Sequence, residues 1–192
     1  KVKNLGHRLG ASGTILENTV EGLLESLDLV SDKRFKYWEF DVRESSDGVL
    51  FAFHDDCIKI NGKMIETRYL NYDEIYRAGE SMMISIPTFQ QIMEVLKYRE
   101  ERVMIEIKNV HSDAAREALL LSVSGNEDWI LMSTPERFVK SFPSETRDLW
   151  NERARTLGVK LVRVGRHRID LFRASRYPMR WYFAKPKWFF GF

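Results

Sequence analysis

Residues able to do acid–base chemistry are concentrated in the first third of the chain. His7 stands directly before Arg8, His54 stands directly before an aspartate, and Glu39 and Asp41 lie between the two histidines. Two imidazoles can serve as proton donor and proton acceptor near neutral pH, and an arginine can hold an anion. Carboxylates can hold a metal ion. Cleavage of a phosphate diester requires these groups, and no other part of the sequence offers so many of them together.

The acidic residues are spaced so that they share one face of a strand. A strand is predicted over 36–42, with apolar residues on one side and Glu39 and Asp41 on the other. For two acids alone, a solvated strand face is the commoner explanation. A site is favoured here because Glu106 and Lys108 share a face of a later strand in the same way. Glu39, Asp41 and Glu106 form an all-oxygen set that suits Mg²⁺ or Ca²⁺.

Both histidines stand at the ends of predicted strands. A lone histidine is as often a satisfied core residue as a functional one. His7 and His54 are each followed by a charged residue, which favours an acid–base pair. The strand over 49–54 is predicted to direct Leu50, Ala52 and His54 inward.

Strand and helix patterns alternate along the chain. The first strand is predicted to end at Arg8, and the later ones cover 36–42, 49–54, 103–108, 129–132 and 161–164. Helical spacing of apolar residues predicts a helix over 19–30, capped by Asn18, and further helices follow near 72–78, 88–96, 113–121 and 145–157. This order indicates an α/β fold with a largely parallel sheet. The ionisable groups then lie at the carboxyl ends of neighbouring strands, where parallel barrels gather their active sites.

The composition is that of a soluble globular protein. Of 192 residues, 44% are hydrophobic and 30% charged, which is enough for one domain with a sizeable core. The net charge of +2 gives no reason to expect nucleic acid as a partner. The single cysteine excludes an intrachain disulfide, and we find neither a signal peptide nor a membrane-spanning run. We expect a cytoplasmic protein, with a removed leader left open because the chain begins with Lys. The oligomeric state is not predicted.

Seven short motifs occur over residues 3–110: Gly6-His7-Arg8, Glu17-Asn18-Thr19, Glu39-Phe40-Asp41-Val42, Asp47-Gly48, Phe53-His54-Asp55, Ile86-Pro87-Thr88 and Ile105-Glu106-Ile107-Lys108. In order and approximate spacing this series resembles the glycerophosphodiester phosphodiesterase family. Each motif alone is weak, whereas the ordered set is specific.

The resemblance implies a TIM-barrel phosphodiesterase that hydrolyses glycerophosphodiesters to glycerol 3-phosphate and an alcohol with a divalent metal, Mg²⁺ or Ca²⁺. In such enzymes a neighbouring hydroxyl of the substrate attacks phosphorus through a cyclic intermediate. By motif position, the roles implied are acid and base for His7 and His54, phosphate binding for Arg8, charge neutralisation for Lys108, and metal binding for Glu39, Asp41 and Glu106.

Two departures from the family pattern bear on the fold. Leu9 stands where the family usually has glycine, so the loop after Arg8 is expected to take a different path. About six barrel strands can be counted in the sequence, whereas a closed TIM barrel has eight. We therefore predict a TIM-like barrel that is incomplete at its carboxyl-terminal end or is closed unconventionally by the last segment.

Two other functions stay open from the sequence. A relative that acts on lysophospholipids or sphingolipids, as a lysophospholipase D or a sphingomyelinase D does, would use the same histidine pair. A catalytically inactive domain that binds phosphodiester headgroups would fit a truncated barrel, although the intact motif residues count against it.

The end of the chain, residues 166–192, is rich in arginine, lysine and aromatic residues. We expect residues 1–165 to form the phosphodiesterase barrel domain and residues 166–192 to pack on it as an arm, because aromatic clusters are usually core. Basic residues interleaved with aromatic ones also suit a lipid interface, so contact with a membrane surface is the alternative.

Overall fold

A computed structural model describes residues 4–163 of the chain. The strands are β1 Trp38–Glu44, β2 Leu50–Ala52, β3 Cys57–Ile60, β4 Lys63–Glu66, β5 Val103–Asn109, β6 Trp129–Ser133 and β7 Lys160–Arg163. The helices are α1 Val20–Glu25, α2 Tyr72–Ser81, α3 Phe89–Leu96, α4 Asp113–Val123, α5 Pro135–Ser141 and α6 Ser144–Thr156, and two 3₁₀ turns cover Leu27–Ser31 and Thr67–Tyr69.

Five of the strands form one sheet in the order β2-β1-β5-β6-β7. β1, β5, β6 and β7 are parallel, and β2 joins the edge of β1 antiparallel. Helix α4 connects β5 to β6, and α5 and α6 connect β6 to β7. The predicted α/β fold with a largely parallel sheet is confirmed. Within residues 4–163 the sheet does not close on itself, in agreement with an incomplete barrel.

The apolar core fixes which face of the sheet carries the acidic residues. Phe40, Val42, Ile105 and Ile107 point to one side, where the predicted apolar face of α3 packs against them. Burial of each such side chain contributes about 1.5–3 kcal/mol. A slip of β1 by one residue would exchange its faces and bury the acids in this core. The register is therefore strongly specified.

The predicted strand ending at Arg8 is wrong, because residues 5–17 form consecutive turns. Arg8 and Leu9 have φ angles of 51° and 59°, in the left-handed region that a strand cannot continue through. The segment still follows β1, since the Glu39 amide donates to the carbonyl of Gly6 (2.9 Å) and the Leu9 amide donates to the carbonyl of Glu39 (2.8 Å). Leu9 thus adopts a backbone conformation that favours glycine, the residue that the family usually has there.

The second strand is shorter than predicted and faces the other way. β2 ends at Ala52, two residues before His54. Ala52 pairs with Val42, and residues directly opposite in an antiparallel pair share a face, so Ala52 lies on the apolar side. Leu50 packs against the same core. The prediction that Leu50, Ala52 and His54 point inward, towards the acidic residues, is therefore wrong. Phe51, which pairs with Arg43, lies on that face.

A hairpin formed by β3 and β4 was not predicted. Its turn is formed by Asn61 and Gly62, which have positive φ angles, 49° and 79°, as a tight hairpin turn requires. Both strands are short, and β4 is largely exposed, so the apolar alternation that would indicate them is weak.

Residues 166–192 lie outside the described residues, so the predicted arm and the division at residue 165 stay predictions. No helix in the part of the chain from residue 4 to residue 163 has the length and apolar character needed to cross a membrane.

Candidate active site

Three carboxylates meet within the lengths of β1 and β5, and not at the carboxyl ends of the strands as predicted. Asp41 is paired with Glu106 across the two parallel strands, and Glu39 lies two residues before Asp41 on the same face of β1. One oxygen from each of the three lies within 4.8 Å of the others. Two ligands on opposite sides of a Ca²⁺ ion are about 5 Å apart. The acidic group is therefore compact enough to surround a divalent cation.

Glu39 is the least compensated member of the acidic group. Its Oε2 accepts a hydrogen bond from the Arg8 amide (2.9 Å), while among the described residues no partner is found for its buried Oε1. Burial, followed by the negative charge of Asp41, raises the pKa of Glu39 well above its usual range. An unpaired buried carboxylate oxygen is costly, and a cation bound there would compensate it. The donor set fits a hard divalent cation.

Lys108 neutralises part of the acidic group. Its Nζ lies 3.0 Å from Asp41 Oδ1 and 2.7 Å from Glu106 Oε1. Burial alone would lower the pKa of Lys108, but the charges of Asp41 and Glu106 outweigh it and raise the pKa. Val42 pairs with Ile107 while the next residue of β1 pairs with Asn109, so Lys108 is the extra residue of a β-bulge. Such bulges redirect side chains beside active sites.

Asn18 holds Asp41 in place, a role that was not predicted. Its Nδ2 donates to Asp41 Oδ2 (2.9 Å), and its Oδ1 accepts from the Asp41 amide (3.1 Å). The predicted cap at Asn18 is wrong, because Thr19 caps α1 by accepting from the amide of Gly22. Asn18 has a φ of 60°, a conformation that asparagine tolerates better than most residues. Its place in the Glu17-Asn18-Thr19 motif was the available signal.

Arg8 lies at the edge of the acidic group. Its Nη1 donates to Glu17 Oε1 (2.6 Å), and its Nε is 3.8 Å from Asp41 Oδ2. Burial lowers the pKa of Arg8, but the hydrogen bond and charge of Glu17 outweigh it and raise the pKa. In the described part of the chain the buried Nε has no hydrogen-bond acceptor. Glu17 thus holds Nη1, Asp41 lies beside the buried Nε, and the side chain remains 20% exposed.

His7 connects the turn segment to the acidic group. Its Nδ1 lies 2.8 Å from Ser12 Oγ, and its Nε2 lies 3.6 Å from Glu39 Oε2. The imidazole is 38% exposed, so solvent and substrate can reach it. The structure therefore brings His7 and Arg8 to the three carboxylates.

His54 lies in the loop after β2 and contacts other partners. Its Nδ1 is 2.7 Å from Asp55 Oδ1, so Asp55 orients the ring. The ring is 36% exposed. The loop is held by Arg43, which follows Glu39 and Asp41 on the same face of β1 and donates to the carbonyl of His54 (2.7 Å). The role of Arg43 was not predicted, although alternation along β1 places it on the face of Glu39 and Asp41.

A polar cleft opens beside Lys108, near the carboxyl end of β5. Its volume is about 910 Å³. Basic, acidic and aromatic side chains line it, among them Asp56, Tyr69, Lys108, His111, Arg137 and Lys140. This cleft is large enough for a small polar group next to the acidic residues.

Fold and site together define a TIM-like α/β protein with a compact acidic group on its sheet, and within residues 4–163 the sheet is open. The chain matches the Glycerophosphoryl diester phosphodiesterase family over residues 7–167 and belongs to that family. A search of curated proteins found no match.

Solved structures assigned to the same family share the fold. One from Silicibacter pomeroyi DSS-3 is 20% identical, with a TM-score of 0.58, and the match covers 83% of this chain and 63% of that one. The glycerophosphoryl diester phosphodiesterase domain of an uncharacterized protein from Mycobacterium tuberculosis is 15% identical, with a TM-score of 0.54, and the match covers 88% and 62%. The chain thus spans less than two thirds of the length of these two structures.

Proposed function

We propose that this protein hydrolyses glycerophosphodiesters to glycerol 3-phosphate and an alcohol, with Mg²⁺ or Ca²⁺ held by Glu39, Asp41 and Glu106. The observation that carries the proposal is the compact acidic group with the unpaired Oε1 of Glu39, placed between Arg8 and Lys108. Membership of the family supports the substrate class.

Arg8 and Lys108 are the residues that would hold the phosphate. The partly exposed guanidinium of Arg8 would contact one phosphate oxygen, while Glu17 keeps it at the edge of the acidic group. Lys108 remains charged, because Asp41 and Glu106 raise its pKa, and it lines the cleft. A bound divalent cation would supply further positive charge to the phosphate.

The histidines would move the protons. One imidazole takes the proton of the attacking hydroxyl as a phosphorus–oxygen bond forms, and the other gives a proton to the departing alcohol as its bond to phosphorus breaks. When the attacking group is a neighbouring hydroxyl of glycerol, the product is a cyclic phosphate, which water opens with the two roles exchanged. His7 Nε2 already faces Glu39, and His54 would approach from the loop after β2.

The cleft beside Lys108 supports a small polar alcohol as the leaving group. Its lining mixes acidic, basic and hydroxyl groups, which suit a hydroxylated or zwitterionic headgroup. We also propose contact of residues 166–192 with a membrane surface, which their basic and aromatic composition supports.

Product identification by phosphorus NMR tests the proposed function. Glycerophosphocholine, lysophosphatidylcholine and sphingosylphosphocholine are offered separately to wild type, His7→Asn and His54→Asn. We expect glycerol 3-phosphate from the first substrate and losses of about 100-fold or more in both variants, because general acid–base catalysis contributes that much. Both imidazoles are more than one third exposed, so the melting temperature should change little.

The other outcomes separate the alternatives. Lysophosphatidic acid or a sphingosine phosphate as the main product would replace the proposal by a lipid phosphodiesterase. Headgroup binding without turnover of any of the three substrates would favour a binding domain. Unchanged turnover in both histidine variants would contradict the acid–base pair.

A further inference from the structure

Arg43 is a buried arginine that donates three hydrogen bonds to one loop. Its side chain is 2% exposed and stands on the same face of β1 as Glu39 and Asp41. Nε donates to the carbonyl of Phe53 (3.1 Å), and Nη2 donates to the carbonyl of His54 (2.7 Å) and to Asp56 Oδ1 (2.8 Å). The guanidinium therefore holds the two successive backbone carbonyls that flank the Cα of His54.

A second arginine completes the arrangement. Arg137 on α5 makes a bidentate pair with Asp56, at 2.9 Å and 3.1 Å, and also donates to the carbonyl of Lys108 (3.3 Å). The hydrogen bond from Arg137 is the largest of the effects that hold the pKa of Asp56 well below its usual range. Asp56 thus stays ionised and joins two guanidinium groups.

These contacts connect the loop of His54 to the two strands that carry the acidic group. Arg43 ties the loop to β1, and Arg137 ties it to the backbone of Lys108 at the bulge of β5. The β2 strand ends two residues before His54, so sheet hydrogen bonds do not extend to the histidine. The position of the imidazole relative to Lys108 therefore depends on this pair of arginines.

We propose that Arg43 is a positioning residue for His54, acting together with Asp56 and Arg137. This inference rests on the proposed function, since it assigns His54 a proton-transfer role. An arginine suits the position because its planar fork can donate to two successive carbonyls and a carboxylate at once, whereas a lysine offers one compact ammonium. A displacement of about 1 Å in a reacting group can cost about 100-fold in rate.

Kinetics of the full chain with glycerophosphocholine test the proposal through Arg43→Lys and Arg137→Lys. For both variants we expect kcat to fall about 10- to 100-fold. For Arg43→Lys, at a buried residue outside the cleft lining, KM should stay within about twofold, since a misplaced acid or base impairs the transition state only. The matched control is Arg116→Lys. Arg116 is 6% exposed and also donates to a carbonyl (Ser141) and to an aspartate (Asp113), but in the helix layer. Its kcat should equal that of wild type.

NMR spectra of the imidazole groups do not require turnover, so they test the positioning role independently of the proposed function. Imidazole signals in proton–nitrogen NMR spectra are recorded for wild type and the three lysine variants, with His54 assigned by its loss in His54→Asn. We expect the His54 signals to shift in Arg43→Lys and to stay in place in Arg116→Lys.

Each result decides one of the two claims. Unshifted His54 signals in folded Arg43→Lys, or a kcat loss no larger than that of Arg116→Lys, would overturn the positioning role. If wild type turns over no diester, the proposed function fails and the NMR comparison alone decides the inference. Should Arg43→Lys not fold, Arg137→Lys, which leaves the contacts of Arg43 intact, gives the same comparison.

Discussion

At the scale of single residues, Glu39 is the carboxylate that a bound cation would stabilise most. It is buried, its Oε1 has no partner among the described residues, and its pKa is raised by burial and by Asp41. A carboxyl with a raised pKa binds its proton more tightly in the folded than in the unfolded chain. The stabilisation that comes from this proton is therefore fully present at pH values below the pKa in the unfolded chain. It is lost as the pH rises through the pKa in the folded chain.

Replacement Glu39→Gln should stabilise the metal-free protein at neutral and alkaline pH. The amide keeps an acceptor for the Arg8 amide and removes the unpaired charge, whose burial costs about 1–3 kcal/mol or more. Since about 1 kcal/mol shifts the melting temperature by 2–4 °C in a protein of this size, thermal melts in a chelator should show a gain of several degrees at pH 8. The gain should shrink towards pH 4. A gain independent of pH would contradict the raised pKa.

The sequence predicted the acidic residues because their positions follow from alternation along two strands. Glu39, Asp41, Glu106 and Lys108 share a face in the structure as predicted. Asn18 was not predicted, because its role depends on a left-handed turn that brings it beside Asp41, and one sequence shows no such contact.

At the scale of elements, the turn segment before α1 depends on Gly6. A Cβ there would lie 2.1 Å from the carbonyl oxygen of Tyr37 and 2.8 Å from the ring of Phe35. The segment must therefore approach β1 more closely than a side chain permits. His7 and Arg8 follow directly and are carried by this approach.

Replacement Gly6→Ala should push the segment away from β1 and lower turnover together with stability. We expect a loss of about 1–3 kcal/mol from overpacking, and a fall in kcat as His7 moves from Glu39. Urea unfolding and steady-state kinetics measure the two effects. Gly125→Ala is the control: a Cβ there meets nothing within 4 Å, and its φ of +79° costs about 1–2 kcal/mol. Equal kcat values in the two variants would show that the close approach of the turn segment to β1 is not needed for turnover.

The elements divide into those that periodicity predicts and those that it does not. The central strands and α3 were predicted because their apolar residues repeat clearly and are buried. The segment ending at Arg8 was predicted as a strand. It does run beside β1, but its hydrogen bonds skip a residue around the left-handed Arg8 and Leu9. Local sequence does not reveal that irregularity.

At the scale of the whole molecule, the basic and aromatic end of the chain is a candidate for contact with a membrane surface. Residues 166–192 carry interleaved basic and aromatic residues. Such segments bind anionic lipid surfaces through both charge and apolar burial.

Sedimentation with lipid vesicles tests membrane contact. We expect the full chain to sediment with vesicles that contain anionic phosphatidylglycerol, and much less with pure phosphatidylcholine or at high salt, because about 1 kcal/mol per basic residue is electrostatic. A chain ending at residue 165 should stay in the supernatant. Equal sedimentation of both chains would exclude the segment as the contact.

The central claim is that the acidic group holds a divalent cation used in phosphodiester hydrolysis, and metal-dependent turnover tests it most directly. Glycerophosphocholine hydrolysis is followed in wild type, Glu39→Gln and the surface control Glu127→Gln, after chelation and during addition of Mg²⁺ or Ca²⁺. We predict no turnover in the chelator, restoration by one of the ions in wild type and Glu127→Gln, and a loss of about 100-fold or more in Glu39→Gln. Turnover that persists in the chelator, or that Glu39→Gln retains in full, would contradict the account.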